Sequence, residues 1–337
     1  MDSYPLKLSN DENRLGLALW PGTPARETLR IGKLADEAGL DSLWITESTL
    51  APGRDAISIL GALSASTSRT RLATGIINIF TRSPTLIAST AATLDELSEG
   101  RAVLGLGTGH QDPLTKWHSV HFEKPITRMR DYVEVIRRVL EGGKVDYRGD
   151  TVNVQGFNLA VKPQRQVPIY LAAVGPKMAR LAGEIADGAL VTMNTLPQLK
   201  KLASIATTTA SGRGRMLDVA AYSLSFVSED HEENVRTAKR VLAMYCSASF
   251  YNKVFAAAGY EKEAGEIARL WAASDKEAAY DLVTEGMIQD FAALGVEEAV
   301  KMVRRYREAG VTLPVISLVH VEDFEQSVIR LFNQLAA

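Results

Sequence analysis

Eight short apolar runs, each followed by a stretch with helical spacing, constrain this chain more than any other feature. The runs are Leu15–Trp20, Leu43–Thr46, Arg71–Asn78, Ala102–Gly107, Ile169–Ala172, Ala189–Met193, Val219–Val227 and Val315–Val319. Each is too short for a typical helix, and near-continuous apolar character marks a strand covered on both faces. Between the runs the period lengthens. Ile31, Leu34, Ala35 and Ala38 recur at i, i+3, i+4 and i+7, and Gly39 stops that helix. Tyr132, Val135, Ile136, Val139 and Leu140 mark another helical face, and Phe324, Val328, Leu331, Phe332 and Leu335 mark the last. Thr23 is predicted to cap the first helix, with Pro24 at its first position. Strand then helix, repeated eight times, predicts an α/β fold closed into a parallel (β/α)8 TIM barrel. The competing open, doubly wound sheet wants a glycine-rich turn after its first strand, and Trp20-Pro21-Gly22-Thr23-Pro24 is not one.

The rhythm breaks in three places, at about 110–125, 144–162 and 229–290, which are predicted as insertions into a single barrel domain spanning 1–337. The second reads as a hairpin from Val145 to Val161 with Gly149-Asp150 as its turn. The third is mostly helical and too long for a simple connection. A length of 337 residues suits such a barrel, although roughly 150 residues per domain would suggest two domains.

Composition removes several function classes. Thirty-eight basic and 40 acidic residues leave a net charge of -2, so nucleic-acid or membrane-surface binding lacks its usual electrostatic basis. A single cysteine, Cys246, forms no internal disulfide and builds no thiolate metal site alone, which points to a reducing compartment. Met1 to Pro5 lacks the basic start of a signal peptide, and no run approaches ~20 apolar residues, so a soluble cytoplasmic protein is expected. The five histidines, 110, 118, 121, 231 and 320, show no H-x-x-x-H or H-E-x-x-H spacing, and no metal site is expected. Neither a G-x-S-x-G elbow nor a Walker loop occurs.

Reacting groups in a barrel sit at the carboxyl ends of the strands. Val174-Gly175-Pro176-Lys177-Met178 is a strand-to-helix turn there. Proline at the first helical position leaves the next amides free, and free amides, helix dipole and Lys177 together suit an anion. An ordinary helix start has the same pattern. Leu104-Gly105-Leu106-Gly107-Thr108-Gly109-His110 puts Gly105 and Gly107 on one strand face, where a flat ligand could approach the backbone. His110 is then a proton donor or hydrogen-bond partner, or a plain surface histidine. Thr74-Gly75-Ile76-Ile77-Asn78 ends an apolar strand in a polar group. Glu47-Ser48 supplies an acid and a hydroxyl or merely caps a loop, and Trp20 lines an apolar site or fills core.

Ala73 to Pro84, Ala91 to Arg101 (with Leu94-Asp-Glu-Leu-Ser-Glu-Gly-Arg101) and Leu104 to Gly109 together resemble the bacterial luciferase-like superfamily. Pro168 to Met178 and Ala182 to Gly188 fit its branch of coenzyme F420-dependent methylenetetrahydromethanopterin reductases. The resemblance covers about Arg14 to Ala206 well and the C-terminal third loosely. It implies a barrel with insertions, a homodimer, and a tricyclic ring bound at the carboxyl end of the strands. It also implies a non-prolyl cis bond at Gly75-Ile76, forming a bulge behind that ring. The cofactor contacts carried over by the resemblance are Ser48, Gly75, Ile76, Ile77, Asn78, Gly107, Thr108, Gly109, Ala173, Val174, Gly175, Pro176, Lys177 and Met178. The chain departs from the branch at Glu47-Ser48, where relatives often carry Asp-His, and at Ala18, where the reductase carries Glu. The expected activity is coenzyme F420-dependent hydride transfer between the ring's C5 and a small organic substrate, with His110 or Glu47 as proton donor or acceptor. An FMN-dependent monooxygenase on the same barrel is the alternative, and a non-catalytic flavin-binding protein a second one.

Overall fold

A computed structural model of the chain describes residues 13–319 and 323–336; the N-terminal five residues and His320 of the sequence reading lie outside them. Eight strands form the barrel: β1 (Gly16–Leu19), β2 (Ser42–Ile45), β3 (Arg71–Thr74), β4 (Ala102–Gly107), β5 (Ile169–Ala172), β6 (Gly188–Val191), β7 (Asp218–Phe226) and β8 (Leu313–Leu318). Each pairs in parallel with the next. Strand β8 closes onto β1, with Gly16 opposite Val315 and Leu19 opposite Leu318. The closed parallel barrel expected from the alternation is the observed fold.

Side chains alternate across each strand, which splits the core in two. Leu17, Leu43, Leu72, Leu104 and Ile169 face outward and pack under the helices. The helix Pro125–Glu141 buries Tyr132, Val135, Ile136, Val139 and Leu140 against them, the face that the sequence spacing marks. Ala18, Trp44, Ala73, Val103, Tyr170 and Tyr222 face inward and fill the lumen. Trp44 meets Tyr170 at 5.4 Å and Tyr222 at 6.1 Å, both edge to face, the arrangement that aromatic quadrupoles favour. Arg14 seals the amino-terminal end of the lumen by pairing with Asp41 at 2.9 Å and Asp218 at 2.6 Å. Burial pushes the Asp218 carboxyl upward. The Arg14 charge and hydrogen bonds from Thr312 and Tyr170 outweigh that and hold it below the usual carboxylate range.

Three local expectations change. The third strand does not run from Arg71 to Asn78: it stops at Thr74, the Gly75–Ile76 peptide is cis, and Ile77–Asn78 pairs again with Leu106 and Gly107 of β4. Thr23 does not cap the first helix. That helix is Ala25–Glu37 with Pro24 at its N-cap and no side-chain cap; the Thr23 amide donates to the Trp20 carbonyl, and its hydroxyl is buried with no partner among the described residues. The segment 110–125 contains a helix, Gln111–His118, that no periodicity announced. Residues 144–158 form the expected hairpin, closed by Gly149 donating to the Val152 carbonyl. His231 to Phe291 is a stack of helices with its own apolar cluster, packed over the carboxyl end beside Trp20 and Val174.

Glycines make room where β3 breaks. A Cβ on Gly105 would lie 2.1 Å from the Thr74 carbonyl oxygen, so the two strands meet closer than any side chain allows. The Thr74 hydroxyl fills that contact, donating to the Gly105 carbonyl at 2.9 Å and accepting from its amide at 2.8 Å. Gly105→Ala is expected to destabilise the protein by roughly 1–3 kcal/mol, the range for overpacking a tight interior. Urea unfolding measures it; an unchanged midpoint would show that β3 and β4 part here at no cost.

Candidate active site

The carboxyl ends of the strands open into a cavity of about 490 Å³. That is the size of a pocket for a cofactor or small substrate. One wall is main chain. Past Thr74 the Gly75–Ile76 turn steps into the cavity, and the Gly75 amide is tied to the Ile45 carbonyl at 2.8 Å. Ile76 lies over Gly107, where a Cβ would come within 2.5 Å of its Cδ1. Tyr222 crosses the lumen from β7 to reach Gly75, and a Cβ there would lie 2.1 Å from the tyrosine oxygen. Ledge and tyrosine are therefore fitted to each other through a position that only glycine can occupy.

Asn78 lines the cavity, but its amide is committed to main chain. Its oxygen accepts from the Phe80 amide at 2.7 Å, and its nitrogen donates to the Thr108 carbonyl at 3.2 Å. Gly109 closes over it at φ +62°, and a Cβ there would lie 2.1 Å from the Asn78 nitrogen. Asn78 thus shapes the loop carrying Thr108 and Gly109.

His110 follows that loop. Thr49 Oγ1 accepts from the His110 amide at 3.2 Å and lies 2.6 Å from His110 Nδ1. Among the described residues, Nδ1 is the one acceptor in reach of the Thr49 hydroxyl proton, so we assign the ring proton to Nε2. Burial pushes the His110 pKa down to about 4, so the imidazole is neutral at pH 7. It stands as a neutral N–H donor in an apolar setting, with the Tyr251 ring 5.2 Å away. Glu47 is placed differently. Both of its oxygens accept from Arg82 Nη1, at 2.9 and 2.8 Å, and Arg82 also reaches Asp55. Ser48 Oγ accepts from the Leu50 and Ala51 amides and so caps its own loop. Both residues still contribute to the cavity wall.

The turn after β5 brings Val174, Gly175, Pro176, Lys177 and Met178 to the wall. Gly175 is the N-cap of the helix Pro176–Ile185 and offers no capping side chain. The first intrahelical bond is Ala179 to Gly175, so among the described residues the Lys177 and Met178 amides have no partner. The Lys177 ammonium is exposed and makes no ion pair among those residues. Ile77 and Ala173, two of the expected cofactor contacts, instead join the outer core: inward and outward positions alternate, and each stands behind a neighbour that lines the cavity.

Several wall residues did not stand out in the sequence. Leu224 and Ser317 continue the inward phase of β7 and β8 and follow from period-two counting once those strands are placed. Tyr245, Phe250 and Tyr251 come from the helices His231–Ser247 and Ser249–Phe255, and no local pattern points them at a barrel mouth. Trp20 does line the cavity, with its indole N–H on Ser317 Oγ at 3.1 Å. Among the described residues no cluster of His, Cys, Asp or Glu could hold a metal ion, and no helix is long and apolar enough to cross a membrane.

A flat, uncharged body against the Gly75–Ile76 ledge, with an anionic arm at the helix N-terminus, fits this geometry. The family model described as luciferase-like monooxygenase matches residues 10–313. The chain is 34% identical over 237 residues to the 5,10-methylenetetrahydromethanopterin reductase of Methanolobus tindarius, covering 69% of this chain and 72% of that one. It is 31% identical over 308 residues to the Archaeoglobus fulgidus protein of the same name, covering 89% and 91%. The solved structure of the coenzyme F420 dependent tetrahydromethanopterin reductase from Methanopyrus kandleri superposes with a TM-score of 0.84 at 28% identity, covering 96% of this chain and 98% of that one.

The buried imidazole sets a pH dependence. Between its unfolded value near 6.5 and its folded value of about 4, the unfolded chain binds the proton and the folded one does not. Stability therefore falls as pH drops through that window, by at most roughly 3 kcal/mol from this group. His110→Gln removes that share of the slope. Denaturant midpoints between pH 7 and pH 4 should fall further for the wild type than for the variant; parallel losses would place the ring in solvent.

Proposed function

This chain belongs to the luciferase-like monooxygenase family, in the branch shared with the methylenetetrahydromethanopterin reductases, and from that membership we propose that it is a coenzyme F420-dependent oxidoreductase acting on a small organic substrate. The observation that carries the proposal is the pairing of a main-chain ledge in an uncharged cavity with an unpartnered, lysine-bearing helix N-terminus. A deazaflavin has the matching parts: a planar tricyclic ring and an arm bearing phosphate. The Lys177 and Met178 amides and the Lys177 ammonium would hold the phosphate. Gly75, Ile76 and Gly107 would back the ring, and Gly109 with Thr108 would border it.

When bound, the coenzyme supplies a hydride donor or acceptor at C5 of its ring. The protein's own part is to orient, to exclude water and to handle charge on the substrate oxygen. His110 is assigned that last role over Glu47, whose oxygens are both taken by Arg82. A neutral imidazole with its proton on Nε2 polarises an oxygen without bringing a full charge into an apolar site, as the neutral histidine of triosephosphate isomerase does. Stacking on the ledge holds the reacting atoms at near-attack distance, a large part of the rate that positioning can supply.

Titrating the protein with coenzyme F420 and with FMN while following tryptophan fluorescence tests the proposal, because Trp20 sits on the cavity wall. Saturable quenching by F420 is expected; quenching by FMN alone would favour a flavin monooxygenase on this barrel. Lys177→Glu should weaken F420 binding tenfold or more while slowing turnover of the saturated enzyme less. Unchanged affinity would move the anion site elsewhere.

A further inference from the structure

The helical stack brings two tyrosines to the cavity, Tyr245 and Tyr251, and the barrel floor contributes a third, Tyr222. The first two are packed edge to face at 4.9 Å; Tyr245 also meets Trp20 at 6.1 Å. Among the described residues none of the three hydroxyls has a hydrogen-bond partner, and Tyr222 Oη is fully buried. Tyr222 is 8% exposed and Tyr251 6%. An unpaired phenol such as Tyr222 Oη is unusual, since buried polar groups are nearly always paired; the Tyr245 and Tyr251 hydroxyls are not fully buried and belong to residues that line the cavity. Burial pushes all three upward, so they stay protonated and act as donors.

The charges on the same wall narrow what these donors can meet. Glu47 is neutralised by Arg82, and His110 is neutral at pH 7. Among the described residues that leaves Lys177 as the one cation on the wall. On the proposed function, Lys177 is already engaged by the coenzyme's phosphate. No cation then remains for a second anion, and placing one in this apolar space would be costly.

We propose that Tyr245 and Tyr251 form the substrate subsite, and that the substrate is an uncharged molecule with an apolar body and an acceptor oxygen. A phosphate or carboxylate held inside the cavity would find no second partner charge among the described residues that line it. The tyrosines are specificity-determining residues: their rings pack the substrate body, and a hydroxyl takes its oxygen. The inference rests on the coenzyme assignment only for the occupation of Lys177.

A matched pair of probes tests it: cyclohexanol and cyclohexyl phosphate share one body and differ in charge. With the protein saturated in coenzyme F420, tryptophan fluorescence and thermal midpoint should show saturable binding of cyclohexanol at least tenfold tighter than cyclohexyl phosphate. The Tyr245→Phe/Tyr251→Phe double variant keeps the rings and should weaken cyclohexanol five- to twentyfold, with coenzyme affinity unchanged within twofold. Equal or tighter binding of the phosphate overturns the proposal. So does undiminished cyclohexanol binding by the variant, or no saturable binding by the wild type. A matching loss of coenzyme affinity in the variant also overturns it, because the hydroxyls would then serve the coenzyme. If the wild type takes no coenzyme, the proposed function fails instead, and cyclohexanol binding by the apoprotein, wild type against variant, still judges the tyrosines.

Discussion

The site depends on how closely main chain can approach across the barrel lumen. Closing eight strands leaves an interior just wide enough for side chains to fill. Here aromatic residues on β2, β5 and β7 fill it, and the inner faces of β3 and β4 give way through Ala73, Gly75, Gly105 and Gly107. Tyr222 reaches the Gly75 backbone, and the Thr74 carbonyl reaches the Gly105 backbone. With β3 unable to continue as a pleated strand, its end becomes a ledge of peptide groups facing the cavity. A side chain at any of these glycines would fill the slot or push the ledge away.

Around that ledge the protein places very little charge. The ion pairs that hold the barrel together cluster at the amino-terminal end, where Arg14 and Arg71 meet Asp41 and Asp218. At the carboxyl end the acid Glu47 is spent on Arg82, and the imidazole of His110 is kept neutral by burial. What remains is one ammonium beside a helix N-terminus and a set of neutral donors. Such an interior separates two tasks. On the proposed function, the charged arm of the coenzyme would be held at the edge, and the reacting parts would sit where a hydrogen bond is strong because water is scarce.

The luciferase-like family shares its barrel, and this chain's own character lies in what is laid over it. Glu47-Ser48 is turned to structural use: the carboxylate anchors Arg82 and the hydroxyl caps a loop. The polar side chains left facing the cavity include His110 and tyrosines from the helical stack. Catalytic variety on a barrel comes from segments beyond the strand ends, and these follow that rule.

Local sequence determined the barrel. The apolar runs, the helical faces and the Gly-Pro turn after β5 are short-range patterns, and each states its own secondary structure through periodicity or backbone restriction. The Gly-x-Gly phase of β4 also announced a close approach, though it did not say that the approaching group is Thr74 of the same chain. Tertiary structure decided the rest. That Ile77 and Ala173 face the outer core depends on the phase of each strand within the closed barrel, and a local pattern leaves that phase open. The pairing of Glu47 with Arg82, 35 residues apart, and of Thr49 with His110, 61 apart, joins different strand ends. Tyr245 and Tyr251 look like core positions of amphipathic helices and become cavity walls only because the stack folds back over the mouth. Periodicity records which side of an element avoids water; what that side meets instead is settled by packing at long range.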